Sequence, residues 1–188
     1  MTVEISAELL EAGTGSPLVR RQYATQATLD RFRGKAFSWS GGKTCLHLMH
    51  AHLQHCGVKV PRLPSVRSPL GAKKALARRG CANMAEVIDS LGIERLPAPA
   101  MLTVGDLAYR SSADGMGGVL ICVGANQLLG WTEIVAASAE DEGEAQEGCE
   151  VLIMTLDQVE ACWRVPIGPN PSGAAASDES ASDQGLSE

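Results

Sequence analysis

Phe37-Ser-Trp-Ser-Gly-Gly-Lys-Thr-Cys45 places a cysteine at the start of a helix, behind an aromatic and glycine-rich approach. The approach is too short and too rich in glycine to be helical. Residues 44–56 that follow read as a strong helix, closed by Gly57. A helix N-terminus carries partial positive charge and unpaired N–H groups, both of which favour a thiolate. Lys43 adds to that field, so Cys45 is the candidate nucleophile of the chain.

Upstream, the pattern predicts a helix over 17–32, with Ser16 as N-cap and Pro17 at the first position. Leu18, Tyr23, Leu29 and Phe32 share one broad face of it, and Gly34 ends it. Residues 1–16 are expected to be a flexible N-terminal arm. Downstream, 58–69 holds three prolines and reads as a loop. Two short helices are expected after it, 72–79 before Gly80 and 84–91 before Gly92. The second has a capping box, Asn83 with Glu86. Beyond Pro97 and Pro99 the pattern changes to short strands at 106–110, 118–123, 127–132, 133–137 and 150–155. A last helix is expected at 156–163, with Thr155 and Gln158 as its capping box. Residues 168–188 contain one large apolar residue, Leu186, and are expected to be a disordered acidic tail. Helices first and antiparallel strands second describe an α+β domain spanning 17–167, with N-terminal helices packed on a small antiparallel sheet.

The chain has 188 residues, 45% hydrophobic and 20% charged, which suits one globular domain. Its longest apolar run, residues 119–123, is far too short to cross a bilayer, and the first residues lack the basic and apolar regions of a secretory signal. No membrane insertion is therefore expected. The six cysteines contain no CxxC pair, and free thiols are expected. Residues 20–79 hold thirteen Lys/Arg against Asp30 alone, a net of +12, and residues 133–188 hold thirteen Asp/Glu against Arg164 alone, a net of −12. That division predicts two electrostatic faces able to orient against charged neighbours. The basic half has few aromatics among its charges and no nucleic-acid-binding motif, so no nucleic-acid partner is expected.

Phe37-Ser-Trp39, Thr44-Cys45, Gly105-Asp-Leu107 and Gly118-Val-Leu-Ile-Cys-Val-Gly124 occur in an order that resembles NlpC-type, papain-like cell-wall peptidases. In those enzymes an aromatic-Trp-Gly approach leads to Asp-Cys at a helix start, and a later His-Val-Gly-Ile strand supplies the base. The chain also resembles a phage and prophage family of unknown function related to these peptidases. The shared features are the helix before the Trp motif, the helix that ends at Gly80, the Gly-Asp strand and the terminal Trp163-Arg-Val165. The resemblance covers roughly residues 18–166 and implies a papain-like NlpC-type fold.

Departures from that pattern bear on function. Gly118 stands where the peptidases carry their histidine, Gly130 where a third polar residue orients the ring, and Thr44 where an aspartate precedes the cysteine. All four histidines (47, 50, 52 and 55) lie in the Cys45 helix. His47 is about 200° around that helix from Cys45, and His52 is roughly 10 Å along its axis. A cysteine peptidase needs a base within hydrogen-bond reach of the sulfur. The resemblance therefore implies a degenerate domain, with Cys45 as the relic of a nucleophile.

The same residues admit other readings. Cys45, Met49, His52 and Cys56 form one stripe that would suit copper(I) or zinc, but it is too long for one ion, so no metal is expected and His52 is placed at the core margin. Ser40-Gly-Gly-Lys-Thr44 looks like a phosphate loop, yet Phe37 stands where the Walker pattern needs its first glycine. The loop of ATP pyrophosphatases is a somewhat better likeness, though it follows a buried parallel strand. No cofactor is expected. Trp39, Trp131 and Trp163 are expected to pack the junction of helices and sheet. The resemblance implies a virion component of a phage or prophage tail, made in the host cytoplasm and contacting tail-hub or tail-tip proteins, with peptidoglycan as a second candidate. The alternative is an active cysteine peptidase or amidase that uses Cys45 on peptidoglycan during phage entry.

Overall fold

A computed structural model describes residues 16–131 and 148–168 of the chain. Helix α1, Pro17–Phe32, starts at Ser16, whose side chain accepts a hydrogen bond from the Val19 amide, and ends before Gly34 at φ +71°. Helix α2 is Cys45–His55, α3 is Pro69–Arg78 and α4 is Met84–Ser90. The Asn83–Glu86 capping box forms as the sequence predicts, with the Glu86 amide 3.0 Å from Asn83 Oδ1. Helix α3 begins earlier than expected, because Ser68 caps it by accepting from the Gly71 amide and Pro69 takes the first turn.

Six antiparallel strands follow: β1 Glu94–Arg95, β2 Leu107–Arg110, β3 Gly118–Gly124, β4 Gln127–Trp131, β5 Cys149–Ile153 and β6 Ala161–Arg164. Their order across the sheet is β1-β6-β2-β3-β4-β5. The described residues thus form an α+β fold, with four helices and a six-stranded antiparallel sheet. Side chains alternate between the two faces of the sheet. Leu107, Tyr109, Val119, Ile121, Leu129 and Trp163 belong to the core shared with the helices. Ala108, Leu120, Cys122, Leu128 and Cys162 face the other way, into a smaller cluster with Leu96, Met154 and Val159.

Two expectations are corrected here. The predicted helix over 156–163 is instead a 3-10 turn, Leu156–Gln158, followed by β6. Half of its capping signal is present, since the Thr155 amide donates to Gln158 Oε1. The chain then leaves the helical path because Ala161–Trp163 fill the gap between β1 and β2, pairing with Tyr109, Ala108 and Leu107. Backbone pairing and burial of Trp163 there override the local signal. Leu18, expected on one broad face of α1 with Tyr23, Leu29 and Phe32, is 60% exposed; the buried residues of α1 are Ala24, Thr25, Thr28 and Phe32. The strand β1 is two exposed residues with no alternation, so the sequence carries no signal for it. The expected strand at 133–137, the N-terminal arm and most of the acidic tail lie outside the described residues. Among the described residues no helix is long and apolar enough to cross a membrane.

Candidate functional site

The approach to Cys45 is a tight hairpin. Ser38 and Lys43 exchange backbone hydrogen bonds of 2.9 and 3.1 Å, the Gly41 amide donates to Ser38 Oγ, and Gly42 adopts φ +65°. The amides of Gly41 and Lys43 are therefore engaged within the hairpin, which argues against the phosphate-loop readings of this segment. Phe37 packs edge-on against both Trp39 and Trp131, with ring centroids 5.2 and 5.7 Å apart, and Trp131 meets Phe32 of α1 in the same way at 6.0 Å. Trp131 Nε1 donates to the Lys35 carbonyl. Trp39 and Trp131 thus tie the hairpin to α1 and the sheet, as expected of packing residues.

Cys45 opens α2, with Thr44 as its extended N-cap, and packs with the core shared by Leu48, Met49, Val119 and Ile121. Its thiol lies in an apolar crevice of about 60 Å³, lined by Trp39, Leu46, Val66, Leu76, Met84 and Met116 among others. Burial pushes the thiol above its ordinary pKa; the amide groups of Val119, Leu46 and Cys45 itself oppose that, and Asp114 adds slightly to it. The expected helix-terminus activation is therefore outweighed, because desolvation of a thiolate costs more than a few amide dipoles return. Lys43 is not among the groups that act on the sulfur.

His47 lies closer to Cys45 than its helical angle suggests, since it lines the same crevice. Its Nδ1 is 2.8 Å from Thr44 Oγ1, so the imidazole curls back over the helix start. Burial, then His50 and Arg31, lower its pKa. Neither His47 nor any other described histidine forms a hydrogen bond to the Cys45 sulfur. At Gly118 an ideal Cβ meets nothing within 4 Å. By strand alternation this position belongs with Leu120 and Cys122, on the face away from α2. An ideal Cβ at Gly130 would collide with the Leu120 side chain, so the orienting position is filled by a leucine methyl.

The remaining histidines have structural work. His52 is fully buried rather than marginal, which corrects the sequence reading. Its Nε2 lies 2.9 Å from the Gly105 carbonyl and its Nδ1 3.0 Å from Thr28 Oγ1. Burial is the main cause that lowers its pKa to about 4, with the Gly105 carbonyl opposing and His55 and Arg21 reinforcing. The ring is neutral, so Nε2–H donates to Gly105 and Nδ1 is left as an acceptor facing the Thr28 hydroxyl, whose single hydrogen is also claimed by the Ala24 carbonyl at 2.8 Å. Cys56 Sγ is 3.6 Å from the same Nε2, and burial pushes this thiol up to about 12. Cys45 lies at the other end of α2, and among the described residues no group of three His, Cys, Asp or Glu could hold a metal ion.

Residues 18–165 match the family described as Domain of unknown function (DUF6950). The chain belongs to this family. No curated protein matches it. The matched stretch runs from just before Arg21 to Val165, and these two residues meet at a densely bonded buried site of the DUF6950 domain.

That site is Asp106, which is fully buried. Its carboxylate accepts from Arg21 Nη1 at 2.8 Å, the Thr103 amide at 2.9 Å, Thr103 Oγ1 at 3.0 Å and the Val165 amide at 3.3 Å. Arg164 Nε adds an ion pair at 3.3 Å. Arg21 also donates to the Val165 carbonyl, and Arg164 to the Met101 carbonyl. One carboxylate thus joins α1, the loop before β2 and the end of β6. Trp163, next along β6, donates from Nε1 to Asp89 just inside the end of α4. The Gly105-Asp-Leu and Trp163-Arg-Val motifs are therefore halves of one architectural joint. Nothing local in the sequence links the two motifs; the acid of one and the arginine of the other are the available signal.

Proposed function

We propose that this protein is a structural or assembly component of a phage or prophage tail, associated with the tail tip or hub. In this reading it is built on a degenerate papain-like, NlpC-type peptidase domain and acts through contacts. The carrying observation is Cys45, which opens a helix on the β3 strand while its thiol sits protonated in an apolar crevice with no bonded base. The α+β arrangement of helices before an antiparallel sheet, and the order of the Cys45, Gly-Asp and β3 segments, are compatible with the NlpC resemblance. The filled position at Gly130 and the far-face position of Gly118 both weigh against a working triad.

The test has two arms. Purified protein incubated with peptidoglycan fragments is expected to release no product. Particles assembled with Cys45→Ala are expected to form and infect normally, and the wild-type protein is expected to co-purify with tail-hub protein. Hydrolysis abolished by Cys45→Ala would replace this reading with that of an active cysteine peptidase. Absence of the protein from particles would remove the tail assignment.

A further inference from the structure

Helix α3 turns one side to the domain and the other to solvent. Ala72, Ala75 and Leu76 line the crevice beside Cys45, whereas Leu70, Lys73, Lys74, Ala77 and Arg78 are all exposed. The exposed five fall at i, i+3, i+4, i+7 and i+8, which is one stripe of a helix.

The charge of that stripe is one-sided. Residues 57–80 hold seven Lys/Arg and no Asp or Glu, and no acid occurs between Asp30 and Glu86. The four ion pairs among the described residues use Arg21, Arg33, Arg95 and Arg164, so none belongs to α3. Asp114 is an acid that feels Lys73: the Ser112 hydroxyl chiefly, then the Met116 amide and Lys73, lower its pKa. Lys74 and Arg78 have no such neighbour among the described residues. They form a like-charged i, i+4 pair, which repels, and the first turn of α3 has no acid to meet its dipole. Arg78 in the last turn suits that dipole, but Lys73 and Lys74 do not serve the helix. Leu70, 63% exposed, sets a large apolar side chain at the head of the same stripe. An anionic and partly apolar surface laid on this stripe relieves both the repulsion and the exposed leucine.

We propose that the outer face of α3 docks an acidic helix of a partner protein. Asp or Glu side chains of that helix meet Lys73, Lys74 and Arg78, and an apolar side chain meets Leu70 and Ala77. Two other polyanions fit less well. No aromatic residue occurs between Trp39 and Tyr109, so this segment offers no stacking platform for bases. One exposed leucine on a helix about 15 Å long is too little apolar surface to hold a bilayer. A face of that length is a small interface, so affinity is on the order of micromolar and falls as salt rises. The proposal uses neither the thiol of Cys45 nor the tail assignment, and its test is independent of tail-hub co-purification.

The full chain is titrated into a fluorescein-labelled, alanine-based helical peptide with Glu at helical spacing and one Leu. Binding is read by fluorescence anisotropy at about 50 mM salt, where charge steering is strong. The same peptide with Gln for Glu is expected to bind about tenfold more weakly. Lys74→Glu and Arg78→Glu are each expected to weaken binding of the acidic peptide about fivefold, since reversal replaces attraction with repulsion. Lys35→Glu, the same change at an exposed cation beside β5, is expected to leave it within about twofold. Lys74→Glu also turns the repelling pair into a favourable Glu-to-Arg one, so its Tm should hold or rise while binding falls. Equal binding of the Glu and Gln peptides, or a loss from Lys35→Glu as large as that from Lys74→Glu, overturns the proposal. So does absence of binding to the full chain, whether the face is inert or covered by the chain's own acidic segments. Tighter binding of a DNA duplex or of phosphatidylglycerol vesicles than of the acidic peptide overturns the assignment of a protein partner.

Discussion

Cys45 and Asp106 are two polar side chains that this fold takes out of water, and they are treated in opposite ways. Asp106 is met by two arginines, two backbone amides and a hydroxyl. Cys45 is met by apolar side chains and a few amide groups, and stays a neutral thiol. A buried charge persists only when its bonding is satisfied, whereas a thiol can be buried by giving up its charge. Among the described residues, the buried polar bonding around Asp106 joins elements, whereas the few amide groups around Cys45 do not offset the burial that holds its thiol protonated. Substitutions at the two places should differ accordingly.

Asp106→Ala carries the largest expected effect. It leaves Arg21, 12% exposed in its side chain, without its carboxylate and frees the Val165 and Thr103 amides. Breaking such a buried pair from one side costs about 3–5 kcal/mol. In a domain of this size that lowers Tm by roughly 6–20 °C, measurable by calorimetry. A change below about 1 kcal/mol would mean that the joint is an ornament of the fold, and the contrast with Cys45 would vanish.

A pH titration gives the next largest effect, through His52. Its folded pKa of about 4 lies below the ordinary value of 6.5, so the unfolded chain binds this proton first. The stability contributed by neutral His52 is present in full above pH 6.5 and is lost progressively as pH falls toward 4. The shift corresponds to about 3 kcal/mol. Denaturant melts of wild type and His52→Gln, compared across that window, isolate the term from His47, His55 and the carboxylates. Wild type should lose about 3 kcal/mol more than the variant between pH 7 and pH 4. Parallel curves would place His52 in a more solvated site than the structure gives it.

How far the sequence disclosed these two regions follows from the range of the forces involved. The start of α2 at Cys45, the cap of α4 at Asn83 and the Ser16-Pro17 entry to α1 were all legible, because caps are set by residues three or four apart. Strand β6 was not, because Trp163 pairs with Leu107, far away in the chain, and nothing near Trp163 announces that pairing. The same holds for side-chain environment. Sequence placed Cys45 at a helix terminus correctly but could not weigh that dipole against burial by Val66, Leu76 and Met116, which come from three other segments. His52 was misplaced for a like reason, since its partners Thr28 and Gly105 lie on either side of it at long range.

Cys45→Ala should cost little, about 1 kcal/mol for one small buried group, and should leave any function of the protein intact. The same protonated state predicts slow alkylation of Cys45 at pH 7, rising only above the ordinary thiol range. Labelling at neutral pH faster than that of a free thiol would reopen the catalytic reading.

The smallest expected effect is that of Gly118→His, which supplies the imidazole missing from the NlpC-type pattern. The position has open space around an ideal Cβ, so the variant should fold, with Tm within a few degrees of wild type. Turnover of peptidoglycan fragments should nevertheless stay at zero. By alternation the new side chain starts on the face of β3 that carries Leu120, whereas α2 packs on the face of Val119 and Ile121. No polar residue can hold the ring from position 130 while Leu120 fills that space. Nucleophilic catalysis by cysteine needs the base within hydrogen-bond reach and held there by a third group, and a single substitution supplies neither placement nor support. If Gly118→His did gain turnover that Cys45→Ala then removed, the crevice would be an active site lacking one residue, and its difference from the Asp106 joint would be one of history rather than of physical design.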